Sequence, residues 1–510
     1  MNHIMRKAII LVILVSAFIH QGSSRNQSSS YWPTNEWRTS TPEEQGLDSE
    51  QLVKLFDFVE ENEINIHSLL ITRNGFVVLD AYFYPNSQGI LHDLASVTKS
   101  ITSTLIGIAL DKGDIKSVKQ RVLDFFPERK IANLDENKKN LTIEHLLTMT
   151  TGFCRDFNHG ERQLEQMRRT EDWVQFMLDQ PLLTKPGTEF AYCSGASQLL
   201  SAIISEATGM SALDFARTHL FEPLNIQDVI WPADPQGNNT GWGDFFMHSK
   251  DMAKIGYLFL NEGKWKDKQV ISAEWIKQAT KQRITLADGE GYGYRWWMPD
   301  ELPGLYEARG RGGQRICVLP EKNFVVVFTG SGFEPGDIGG FIMASEQSGQ
   351  SIPENPEGYK LLQKKIKEAA KAPTPKPVPE MPPAARKISG RTYLLEPNDL
   401  GLISFSLSFE KRDEASLRLI EDDHEETNPI GLDGLYRFSP NSRFGLPEAL
   451  RGHWESDQEF YLEYHEFANN HLFRIWFHFE GNSASMKIIE NTGLVNATIK
   501  ARVKNSGSSQ

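Results

Sequence analysis

Two hydrophobic rhythms divide the chain. Up to residue 370 the apolar positions mix periods. The runs 68–72 and 76–79 flank Asn74-Gly75, a pair that favours a tight hairpin. Near the end of this stretch, Ile316-Cys-Val-Leu319, Pro320-Glu-Lys-Asn323 and Phe324-Val-Val-Val-Phe328 repeat the pattern of strand, turn and strand. Between them, apolar residues fall at helical spacing over 96–112, 142–149, 196–208 and 250–261, and a further helix is predicted over 359–370. Strands at both ends with helices between predict an α+β unit, its first and last strands sharing one antiparallel sheet.

After residue 384 the period becomes two. Ile403-Ser-Phe-Ser-Leu-Ser-Phe409 alternates without fault, as do Phe460, Leu462 and Tyr464, and Phe473, Ile475, Phe477 and Phe479. This predicts a small all-β sandwich or barrel over 385–510. Its aromatics read as core and it holds no catalytic cluster; an accessory binding role stays open. The join, 371–384, contains six of the chain's 25 prolines and predicts an extended, semi-rigid spacer.

Length agrees with this division, because 510 residues exceed the roughly 250–300 that one hydrophobic core serves. A net charge of −13 argues against nucleic acid as a partner, since phosphates demand a basic stripe. Arg6 and Lys7 precede an apolar run over 8–19 and then polar residues, which predicts a secretory signal over 1–23. That run is shorter than the ~20 apolar residues a bilayer span needs. The expectation is a secreted or periplasmic protein, with an uncleaved anchor as the alternative and no other membrane span. Three cysteines, Cys154, Cys193 and Cys317, are an odd and sparse set. They allow one bridge, between Cys154 and Cys193, or three buried thiols.

Several chemistries are disfavoured by their missing motifs. The 13 histidines show neither His-x-His nor His-Glu-x-x-His spacing, and no phosphate-binding glycine loop or Gly-x-Ser-x-Gly elbow occurs. What does occur is Leu94-Ala-Ser96-Val-Thr-Lys99, with Ser96 where a helix should begin and Lys99 on the same face. A serine at a helix N-terminus is nucleophilic when a desolvated lysine can take its proton; a capping serine beside a solvated lysine is the bland alternative. Further on come Tyr192-Cys-Ser194 ahead of a helix and Gly310-Arg-Gly-Gly-Gln314 ahead of a strand.

In this order the three motifs resemble the serine β-lactamase and penicillin-binding protein superfamily, and its class C β-lactamase-like branch of esterases, D-amino-acid peptidases and 6-aminohexanoate-dimer hydrolases. Leu141-Thr-Ile-Glu-His-Leu-Leu-Thr-Met-Thr-Thr-Gly-Phe153, Gly241-Trp-Gly243, Asp251-Met-Ala-Lys-Ile-Gly256 and Tyr292-Gly-Tyr-Arg-Trp-Trp297 support the likeness, which covers residues 40–370. It implies a β-lactamase/transpeptidase-like fold, an antiparallel sheet flanked by helices plus an α-helical subdomain, within 24–370. It also implies a serine hydrolase without cofactor or metal.

Carried onto this sequence, the resemblance makes Ser96 the acylated nucleophile and Lys99 and Tyr192 a coupled base and acid. The backbone N–H groups of Ser96 and Gln314 become the oxyanion hole. Ser194, Arg311, Gly312, Gly313, Trp242 and Tyr294 are candidate substrate-binding residues. Two departures matter. Ser194 stands where the family often has Asn, and Arg311-Gly312-Gly313 stands where penicillin-active members have Lys-Thr-Gly or His-x-Gly. Arg311 can grip a carboxylate in bidentate fashion or point to solvent. The departures favour small or linear ester or amide substrates over β-lactams. β-Lactamase or D-alanyl-D-alanine carboxypeptidase activity, and a non-catalytic binding protein on a hydrolase scaffold, are the alternatives.

Overall fold

A computed structural model describes residues 31–422, 424–439 and 443–504; the predicted signal over 1–23 lies outside the described residues. The Asn74-Gly75 hairpin joins β1 (Ile66–Arg73) to β2 (Phe76–Tyr82), and the later motif forms β4 (Gln314–Leu319) and β5 (Phe324–Gly330), preceded by β3 (Tyr306–Gly310). These lie in the order β2-β1-β5-β4-β3, all antiparallel, at the centre of a mixed sheet of nine strands among the described residues. The first long strand of the unit and its last therefore meet, at the β1–β5 pair.

Side-chain alternation assigns the two faces of this sheet. Leu69, Ile71, Phe324, Val326 and Phe328 point into one core, while Leu70, Val325 and Val327 point into the other. The first core is covered by α1 (Ser49–Glu61), α6 (Gly336–Ser345) and α7 (Pro356–Ala369). On α1 the buried residues Leu52, Leu55, Phe56 and Val59 recur at i, i+3, i+4 and i+7, each contributing about 1.5–3 kcal/mol on burial. Asp48 caps this helix by accepting the Glu50 N–H at 2.8 Å. The second core holds α2 (Val97–Lys112), α5 (Ser249–Leu260) and a helical subdomain that includes α3 (Phe157–Arg168) and α4 (Ser194–Thr208). A disulfide between Cys154 and Cys193 joins the approach to α3 to the start of α4.

The period-2 segments become a closed meander: β6 (Thr392–Leu395), β7 (Leu402–Ser408), β8 (Glu414–Glu421), β9 (His424–Gly431), β10 (Arg437–Ser439), β11 (Glu448–Trp454), β12 (Glu459–Glu466), β13 (His471–Glu480), β14 (Ser483–Glu490) and β15 (Asn496–Val503). The last strand returns to pair with the first, and Gly431 opposite Arg451 links β9 to β11 and closes the barrel. Phe405, Leu417, Phe460, Leu462, Phe477 and Met486 fill its interior, as alternation predicts.

The proline stretch carries no regular secondary structure and is also anchored to the barrel. Residues 370–382 form neither helix nor strand, but the Lys376 N–H donates to the Asp433 carbonyl at 2.7 Å, and Val378 and Met381 pack on the barrel. A short helix, α8 (Pro383–Ile388), then leads into β6. The barrel docks on the sheet unit through three buried histidines. His67 Nδ1 lies 2.8 Å from His92 Nε2, and His67 Nε2 lies 3.0 Å from His465 Nε2 on β12. Burial drives His67 well below the ordinary imidazole range, His92 to about 4 and His465 to about 3. Among the described residues no single helix is long and apolar enough to cross a membrane.

Candidate active site

The turn that delivers Ser96 is held from three sides. Asp93 Oδ1 accepts the Ala95 N–H at 3.0 Å, and Ala95 itself sits at φ 45°, a conformation that costs a non-glycine residue energy. Gly310, at the end of β3, backs onto the same turn. A Cβ there would fall 2.4 Å from the Leu94 carbonyl oxygen and 3.1 Å from the Ala95 Cβ, so glycine is required. Ser96 is the one residue of 92–100 that is not buried. It stands at the N-cap of α2 yet makes no capping bond, which leaves its hydroxyl free for other work.

That hydroxyl accepts a hydrogen bond from Lys99 Nζ at 2.8 Å, one helical turn away. Lys99 also donates to the Trp242 carbonyl oxygen at 2.9 Å and is only 3% exposed. Burial lowers the Lys99 ammonium from 10.5 to about 7; Glu161 opposes this most, Arg295 adds to it, and Asp244 and Asp93 oppose it more weakly. Lys99 Nζ lies 4.9 Å from the Tyr192 ring centre. Burial raises the Tyr192 phenol above its ordinary 10.0, Tyr292 adds to that, and a hydrogen bond to Ser96 works the other way. Ser96, Lys99 and Tyr192 thus converge from α2 and from the residue pair preceding α4. The disulfide at Cys193 anchors that preceding segment beside Tyr192.

The remaining candidates separate. Ser194 is buried and donates to Glu161 Oε1 at 2.7 Å. Trp242 contributes its carbonyl to Lys99, while its ring packs on Trp173 at 5.3 Å. Tyr294 does not line the site. Its hydroxyl donates to Glu144 at 2.6 Å, the Arg283 guanidinium lies 3.8 Å over its ring, and its carbonyl accepts from Ser103, two turns along α2 from Ser96. Gln314 pairs across the hairpin with Gly310, and its amide braces the turn, donating to Arg311 O at 2.9 Å and Gly330 O at 2.8 Å. Gly312 and Gly313, both at positive φ, form that turn. Arg311, its side chain 30% exposed, reaches to the barrel: it donates to Thr492 Oγ1, and its Nη1 lies 3.8 Å from Glu490 Oε1.

Four residues near Lys99 escape sequence reasoning. Arg295 lies inside the Tyr292–Trp297 motif, where the aromatics draw attention away from a buried cation that contacts Met149 Sδ at 2.8 Å. Asp93 directly precedes the serine motif and carried a usable signal. Glu161, on the amphipathic α3, and Asp244, in an irregular segment, carry none.

The Beta-lactamase family model matches residues 56–340 of this chain. The chain is 24% identical over 292 residues to 6-aminohexanoate-dimer hydrolase of Paenarthrobacter ureafaciens, covering 52% of this chain and 73% of that protein. It is 27% identical over 172 residues to Protein flp of Staphylococcus aureus, covering 32% of this chain and only 34% of that protein. Among solved structures, the octameric penicillin-binding protein homologue from Pyrococcus abyssi aligns with a TM-score of 0.48 at 18% identity, over 88% of this chain and 99% of that one.

Proposed function

The chain belongs to the Beta-lactamase family and is a serine hydrolase, and we propose that it cleaves esters or linear amides through an acyl-enzyme on Ser96. The observation that carries this reading is a buried lysine amine 2.8 Å from a half-buried serine hydroxyl at a helix N-terminus. An amine titrating at about 7 is neutral in a large fraction of molecules at physiological pH and can accept the serine proton. Tyr192 has the opposite tendency: burial keeps its phenol protonated, which suits a proton donor and not the initial base.

The sequence of events follows from those two tendencies. Lys99 takes the Ser96 proton as Oγ forms a bond to the substrate carbonyl carbon. The resulting oxyanion is held by the Ser96 N–H and a backbone N–H from the Gly310–Arg311 end of β3. That strand end backs onto the serine turn, whereas Gln314, the donor the resemblance implied, is fully buried. One such donor is worth roughly 3–4 kcal/mol. As the bond to the leaving group breaks, Tyr192 protonates the departing oxygen or nitrogen and recovers a proton from Lys99. Water, deprotonated by the same pair, then attacks the acyl carbon and releases Ser96. Ser194 is committed to Glu161 and cannot present an amide donor to a substrate amide, and Arg311-Gly312-Gly313 in place of Lys-Thr-Gly supports small or linear substrates over the bicyclic β-lactams. The Arg6 and Lys7 leader with its apolar run, together with the Cys154–Cys193 disulfide, supports export to an oxidising compartment.

Incubation with a fluorophosphonate probe should label the protein at Ser96 and not the Ser96→Ala variant. A folded wild type that resists labelling would refute the acyl-enzyme. Specificity constants for a p-nitrophenyl ester and a chromogenic cephalosporin should favour the ester; the reverse order would make a β-lactamase of it.

A further inference from the structure

Two turns of the C-terminal barrel reach the rim of the serine site. The β12–β13 turn places the Asn470 amide on Asp93 Oδ2 at 2.6 Å, the carboxylate whose other oxygen fixes the Ala95 N–H. The same turn sits on Gly312, where a Cβ would come 3.1 Å from the Asn470 Cβ. The Ser331 hydroxyl donates to the Asn470 carbonyl at 2.6 Å, and the Asn491 amide donates to the Ser331 carbonyl at 2.7 Å.

The β14–β15 turn carries a preformed anion for Arg311. Glu490 has no exposed side-chain surface and accepts from the Thr492 N–H at 2.9 Å, the Leu494 N–H at 3.1 Å and the Thr492 hydroxyl at 2.8 Å. It also pairs with His471 Nδ1 at 3.1 Å, and Arg311 approaches this set through Thr492 Oγ1, Glu490 and His471 Nε2. These bonds, His471 foremost, hold Glu490 below the ordinary carboxylate range despite its burial. Arg311 belongs to the serine site electrostatically, because Asp93, Glu161 and Asp244 act on both Arg311 and Lys99. The Arg311 guanidinium, the group the sequence offered for gripping a substrate carboxylate, is therefore already engaged, and a carboxylate arriving there would meet the carboxyl groups of Asp93, Glu161, Asp244 and Glu490.

We propose that the C-terminal barrel is a specificity element of the serine site: by engaging Arg311 through Glu490 and Thr492, it directs the enzyme to acyl donors whose leaving group bears no carboxylate. The inference rests on the acyl-enzyme at Ser96. Both can be tested on the full chain with two esters that differ only in that charge, phenyl acetate and 3-acetoxybenzoate, by comparing the ratio of their kcat/KM values between variants. Wild type should favour the uncharged ester. Glu490→Gln, which removes the charge but keeps the shape, should raise the carboxylate-to-neutral ratio on the order of tenfold, the scale of one charge-assisted hydrogen bond. Adding Arg311→Ala to Glu490→Gln should erase that gain. Thr492→Ala offers the same readout should Glu490→Gln fail to fold. A ratio unmoved in both variants, or a wild type that prefers 3-acetoxybenzoate, overturns the specificity role while Ser96-dependent turnover stands. Turnover of neither ester, or turnover that survives Ser96→Ala, overturns the acyl-enzyme reading and this inference with it.

Discussion

Replacing Lys99 by methionine should abolish hydrolysis and at the same time stabilise the protein, by an amount that depends on pH in a definite direction. The charged ammonium is disfavoured by burial enough to bring its titration from 10.5 to about 7. At roughly 1.4 kcal/mol per pH unit this is a destabilisation of about 5 kcal/mol, in force below pH 7, where both folded and unfolded chains carry the proton. Between pH 7 and 10.5 the unfolded chain binds more protons than the folded one, so wild-type stability climbs with pH; above 10.5 the cost is gone. Methionine has nearly the same length and no charge to desolvate. It does leave the Trp242 carbonyl without its donor, at about 1–3 kcal/mol. The Lys99→Met advantage should therefore be about 2–4 kcal/mol at pH 6 and shrink by about 3 kcal/mol by pH 9. Urea unfolding of both proteins at pH 6, 7.5 and 9, followed by tryptophan fluorescence, measures the difference directly. A difference that does not change across that range would mean Lys99 titrates normally, and the neutral-amine base would fall with it.

Other consequences are equally checkable. Because the base must be neutral, kcat/KM for an uncharged ester should rise with unit slope below pH 7 and level off above it; a profile flat from pH 5 to 9 excludes Lys99 as the base. Removing the disulfide with Cys154→Ala and Cys193→Ala, which closes a separation of 39 residues, should cost about 4 kcal/mol in urea unfolding and lower kcat through the loosened Tyr192. Unchanged kcat would show that Tyr192 is held without it. His92 and His465 stay neutral to about pH 4 and 3 when folded, whereas unfolded imidazoles take up protons near 6.5. Stability should then fall by about 2 kcal/mol for each between pH 7 and pH 5, and His465→Gln should flatten that slope; equal slopes in variant and wild type would place the acid sensitivity elsewhere.

Much of the fold was legible because burial imposes periodicity. Phe324 to Phe328 are buried on both faces of a covered sheet, and the alternation of the tail is that of a barrel with one wet face. The Ser96–Lys99 contact was legible for another reason: the two residues lie one helical turn apart, so the sequence alone brings them together, whereas nothing local brings Tyr192 to them. Arg311 was half legible. Its charge was plain, but its partner lies 181 residues away on a turn of Thr, Gly and Asn that any hairpin could carry. Tyr294 misled because an aromatic in a motif rich in aromatics says nothing about which end of α2 it packs against. For the proline stretch, composition spoke to its extended form but not to whether a backbone N–H finds Asp433.

The strap from residue 370 to 382 changes what the barrel's docking means. The contacts at Asp93, Arg311 and Ser331 are polar and those of Tyr84 and Ile90 with Tyr436 and Phe467 apolar, and as separate molecules the two units would associate to an extent set by their concentration. Here the two surfaces are joined by a short chain, for which effective concentrations reach the millimolar range. Docking is thus a unimolecular equilibrium, independent of how much protein is present, and the rim of the serine site keeps the same composition at any expression level. A single cut within 370–382 would turn that fixed rim into a second-order encounter.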